Sequence, residues 1–173
     1  MAVHAIIDDI YNIVTQIKES EASNTSIQPI ENLKVIKGGD TNEGGYYDGA
    51  LVISCIGWTP LSNGGIGATG YNTFNENVAI RIPVDYYILI QAYTPSATAS
   101  IAAIEFLYTM FYVMMQAGNR PLSIKALEPQ AAQPFGSNNW VASLRLRVLS
   151  SISISAEFYH DVVQQITQTY NIS

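Results

Sequence analysis

Apolar residues recur along this chain with two different periods, and the period changes from segment to segment. Over Ala2 to Ser20, Ile6, Ile10, Ile13, Val14 and Ile17 return every three or four positions. Asp9, Asn12, Gln16 and Glu19 take the other side, so the spacing predicts an amphipathic helix. A polar break from Glu21 to Gln28 precedes a short strand near Leu33 to Lys37, which stops at Gly38-Gly39. The run Ala50 to Trp58 is continuously apolar and partly β-branched, the pattern of a strand covered on both faces. Thr59 to Asn75, with Pro60 and several glycines, is then an irregular loop of a length that usually has a function.

Period 2 governs the second half. Between Asn77 and Ala92, Val78, Ile80, Ile82, Val84, Tyr86, Ile88 and Ile90 alternate with Ala79, Arg81, Pro83 and Asp85. From Trp140 to Ile154, Ala142, Leu144, Leu146 and Val148 share one face while Ser143, Arg145 and Arg147 share the other. Both segments are predicted to be strands. Unbroken, each would span about 50 Å at about 3.3 Å per residue. That exceeds a small core, so bends at Pro83 and Ser150-Ser151, or a sheet extending beyond its core, are expected.

A helix is predicted between them, over about Pro95 to Gln116, with Thr94 as cap, Pro95 in the first turn and Gly118 at its end. Thr98, Glu105, Thr109, Tyr112 and Gln116 form one narrow polar stripe, and apolar residues occupy the rest. Such a helix is expected to be covered on more than one side. Ser123 to Leu127 reads as a short strand before a Pro/Gln/Ala loop to Asn139, and the segment from Ala156 as a helix or an extended arm. The expected fold is α+β: a mostly antiparallel sheet with long strands, packed against one or two main helices. One domain over 1–155 and an appendage over 156–173 complete this expectation.

Charge changes the picture. Charged residues make up 13% of the chain, against roughly 25% in an ordinary soluble domain. None occurs from Gly49 to Asn75, and Glu105 is the only one from Tyr86 to Asn119. A missing charged coat points to surface buried against a partner. Eleven tyrosines add amphipathic contact area. Ile66, Tyr71 and Phe74 in the uncharged loop and Leu107, Phe111 and Met115 on the helix are candidate subunit-interface residues. Arg145 and Arg147, two apart on a strand, join them as possible holders of a neighbour's carboxylate. The net charge of −6 argues against gripping nucleic-acid phosphates, while leaving room for a strand sliding past.

Candidate chemistry is sparse. Gly65 to Gly70 spells G-x-G-x-x-G, but no strand leads directly into it and no helix follows, so no nucleotide or other cofactor is expected. His4 and His160 have no second ligand at metal-binding spacing, and Asp161 beside His160 does not face it on a helix. Cys55, the only cysteine, sits in an apolar run and reads as a small hydrophobe. No nucleophile and base come together, so no enzymatic activity is expected. Met1 to His4 lacks a basic leader, and Glu105 with its polar neighbours makes Ala97 to Ala117 a buried helix rather than a membrane span. A monomeric domain capturing a ligand or glycan with loop 59–76 is the alternative to a self-assembling subunit.

The order of elements (amphipathic helix, apolar strand Ala50 to Trp58, glycine-rich loop, long alternating strand, one strongly apolar helix, last strand through Leu144-Arg145-Leu146-Arg147-Val148) resembles tail terminator proteins of tailed bacteriophages and related neck proteins. The resemblance covers roughly Ala2 to Ile154 and rests on patterning rather than a signature motif. It implies an α/β virion subunit that forms a hexameric ring on the tail tube and joins it to the head-tail connector. The implied partners are other copies, the tail tube, sheath and neck proteins, with genomic DNA passing non-specifically and no membrane. Assembly would take place in the host cytoplasm. The family has no catalytic residues to carry over, and its pattern does not require the segment from Ala156 onward.

Overall fold

The protein's computed structural model describes residues 2–21, 29–38, 49–61, 80–117 and 122–154. Among them lie α1 (Ala2–Glu21), β1 (Lys34–Lys37), β2 (Ala50–Pro60), β3 (Ile80–Thr94), α2 (Ala97–Gln116), β4 (Ser123–Phe135) and β5 (Asn139–Ile154). The strands form one sheet in the order β1-β2-β3-β5-β4. β1 runs parallel to β2, and β4 antiparallel to β5. Tyr93 lies by Val141 and Tyr87 by Arg145, so β3 and β5 are also antiparallel. β3 and β4 therefore point the same way, joined through α2, and the last described strand fills the gap between them. The expected α+β fold, with a mostly antiparallel sheet packed against two helices, is the fold observed.

Compactness divides the chain into two units. The first holds Met1–Trp58 and Tyr86–Leu149, the second Thr59–Asp85 and Ser150–Ser173. β3 passes from the second unit to the first between Asp85 and Tyr86, and β5 from the first to the second between Leu149 and Ser150. In the second unit, Leu61 N–H donates to the Pro83 carbonyl at 3.0 Å, and Val84 and Asp85 are buried.

In the first unit, α1 buries Ile6, Ile10, Ile13, Val14 and Ile17, the stripe its period predicts. α1 packs against β1. Lys37 binds it there, its Nζ 2.5 Å from Asp8 Oδ1 and 4.8 Å from the centre of the Tyr11 ring. Lys18 Nζ donates to the Leu33 carbonyl at 2.7 Å, tying the end of α1 to the turn before β1. Register pairs Val35 with Leu51 and Lys37 with Ile53, so Leu51 and Ile53 face α1. α2 packs against β4 and borders a groove with α1, which puts both helices on one side of the sheet. Ile88, Ile90 and Ala92 of β3 and Ala142, Leu144, Leu146 and Val148 of β5 form the buried floor on that side.

Three boundaries differ from expectation. α2 is capped by Ser96, whose Oγ accepts from Ala99 N–H at 3.2 Å, while Thr94 donates its hydroxyl to the Ser96 carbonyl at 2.7 Å. β4 continues well past Leu127 to Phe135 and turns into β5 through Gly136, at φ +64°. Pro129 and Pro134 are tolerated because β4 is an edge strand, where a missing N–H breaks no second ladder. β2 is buried on both faces only as far as Ile53; from Ile56 onward its outer residues are exposed. The expected Gly118 helix end lies outside the described residues.

Candidate subunit interface

α2 is apolar around most of its circumference, yet its own chain covers one stripe of it: Ser100, Ala103, Ile104, Leu107 and Phe111. Leu107 and Phe111 are fully buried in the core. This corrects their place among the interface candidates, since a side chain sealed beneath its own sheet has no surface left for a neighbour. Met115 is half-buried. The exposed apolar residues of the helix are Ile101 (40%), Tyr112 (49%) and Val113 (55%). Tyr112 stacks on Tyr108 with ring centroids 6.2 Å apart, and at helical spacing Ile101, Tyr108 and Tyr112 surround the exposed Glu105. α2 is long and apolar enough by composition to cross a membrane, but it connects two strands of the same sheet and packs on one of them.

The opposite face of the sheet has its own small core. Ala50, Val52 and Tyr93 are buried together, with Ile36 and Val141 against them. Phe135 meets Tyr93 edge-on, centroids 4.9 Å apart and planes at 72°. Strand alternation continues this face along β2 to Ile56 and Trp58, which are 53% and 55% exposed. The expectation of a strand covered on both faces hid them.

The two arginines part company. Glu128 lies opposite Arg145 in the β4–β5 register, and its Oε2 accepts from Arg145 Nε at 2.7 Å. The guanidinium also lies over the Tyr87 ring, 5.6 Å from its centre. The carboxylate expected from a neighbour is thus supplied by the same chain. Arg147, on the same face, is exposed. Ile66, Tyr71 and Phe74 fall outside the described residues, as do the Gly65 to Gly70 motif, His160 and Asp161.

An open groove of about 530 Å³ lies between the helices, lined by Asp9, Asn12, Gln16 and Ser20 around Ile13, Ile17 and Met114. Cys55 is half-buried, its Sγ 3.5 Å from the Gly57 carbonyl. Tyr86 is buried, and burial first, then the nearby Cys55, pushes its phenol above the ordinary tyrosine range. No cluster of three or more His, Cys, Asp or Glu side chains forms among the described residues.

No known family model and no curated protein matches this sequence.

Proposed function

We propose that this protein is a structural subunit of a phage virion, a tail terminator whose copies form a ring on the tail tube and join it to the neck connector. The observation that carries this reading is the incomplete cover of α2: a nearly uncharged helix, buried along one stripe and exposing Ile101, Tyr112 and Val113. A lone soluble chain gains nothing from leaving such residues in water, whereas an assembling one buries them. The element order supports the phage assignment, and a net charge of −6 suits a wall along which DNA passes without sticking.

Sedimentation of the purified chain, alone and with isolated tail tubes, tests the proposal. The expected outcome is a closed particle of about six copies of the 18.9 kDa chain, or a monomer that binds tube ends and halts tube growth. A chain that stays monomeric at every concentration and ignores tube ends overturns it.

A further inference from the structure

We propose that copies of this chain meet head to tail, with the outer half of β2 on one copy against the outer flank of α2 on the next. This rests on the self-assembly reading above and names the two surfaces it uses. On the described residues, the large exposed hydrophobics are not spread evenly. Ile56 and Trp58 sit together near the end of β2 and Ile101, Tyr112 and Val113 on α2, while Leu61 belongs to the second unit and Phe135 lies edge-on against Tyr93. The two patches are on different faces of the sheet. They are also on different sides of it, since β2 lies beside β1 and α2 packs on β4, at the other end of the strand order.

That separation selects the symmetry. A two-fold contact matches one patch with itself and leaves the other bare. A head-to-tail contact pairs the two unlike patches, buries both on every copy, and repeats until it closes into a ring.

Charge and edge chemistry agree. Copies carrying −6 each repel, and they can approach most easily through surface that is not charged. The β2 patch lies in the stretch from Gly49 to Asn75 that has no charged residue, and the α2 patch carries one charge, the exposed Glu105 between Ile101 and Tyr112. Extension of the sheet at β4 is a poor alternative. Pro129, Pro134 and two register shifts interrupt that edge, devices that discourage strand addition. The neighbour at that side therefore meets side chains of α2. Trp58 and Tyr112 are the natural anchors, because large amphipathic rings dominate the energetics of such contacts.

The test uses the full chain in a Cys55→Ala background. The double variant Thr59→Cys/Thr109→Cys keeps both anchors and places a thiol on an exposed residue beside each. Treated with a bifunctional maleimide, it should give a ladder of covalent multimers, and either single cysteine should give none. Cross-linked dimers from one single variant mean a two-fold contact and overturn the proposal. Assemblies that form normally but yield no ladder also overturn it, while leaving the self-assembly reading standing. A chain that assembles neither alone nor on tube ends overturns both. A second measurement needs no thiol chemistry. Trp58→Glu and Tyr112→Glu should each be monomeric, and their mixture should stop at heterodimers, because only one intact pair of patches remains. Full-size assemblies from either charge variant count against the proposal.

Discussion

Tyr86 stands on the helix-facing side of β3, and its phenol is held above the ordinary value of 10.0, chiefly by burial. The folded chain therefore keeps this proton at a pH where the unfolded chain releases it. The contribution is fully present below the unfolded value and is lost as pH rises through the folded one, so stability falls in strongly alkaline solution. Urea midpoints from about pH 8 to about pH 11 should decline, and Tyr86→Phe should flatten the decline; equal slopes would remove Tyr86 as its source. Gly38 acts through space rather than charge. Its N–H donates to the Ile53 carbonyl at 2.6 Å, and an added Cβ would stand 2.7 Å from Ser54 Cβ. Gly38→Ala is expected to cost about 1–3 kcal/mol by overpacking, measurable by denaturant titration.

At the scale of elements, α2 begins where Ser96 satisfies a free N–H, and Ser96→Ala should lower stability by about 1 kcal/mol without changing the fold. An unchanged melting profile would show that the cap contributes nothing. β3 and β5 were legible from sequence because each has one buried face, and a period of two then survives in the residues. β4 was not, beyond Leu127. Its Pro, Gln and Ala positions look like a loop, and only the knowledge that it lies at an edge makes Pro129 and Pro134 acceptable. The candidate interface was legible as a deficit of charge but not as a place. On a helix apolar nearly all round, periodicity cannot say which flank meets the sheet, so Leu107 and Phe111 looked no different from Ile101 and Tyr112. The end of β2 was missed for a related reason: a continuous apolar run does not announce where its cover stops.

For the molecule as a whole, self-repulsion and apolar contact oppose each other. Salt screens the repulsion among copies with net charge −6 but leaves contact between uncharged patches in place. Assembly should therefore persist or strengthen between about 50 mM and about 500 mM sodium chloride in sedimentation. Dissolution of the assemblies at high salt would instead indicate ion pairs across the interface.

The position of β5 has a consequence for how the chain comes into being. It is the last described strand in sequence and a central one in space, flanked by β3 and β4. A nascent chain that has emerged only as far as Phe135 holds two strands with a vacant lane between them and hydrogen-bonding edges exposed on each. Local helices can form early, but the sheet closes only when Asn139–Ile154 has left the ribosome and threaded its register between partners made long before. Interrupted translation would leave fragments with paired sticky edges instead of smaller working subunits. Synthesis of β5 thus becomes a checkpoint: only a chain that carries this strand can present finished surfaces to a neighbour.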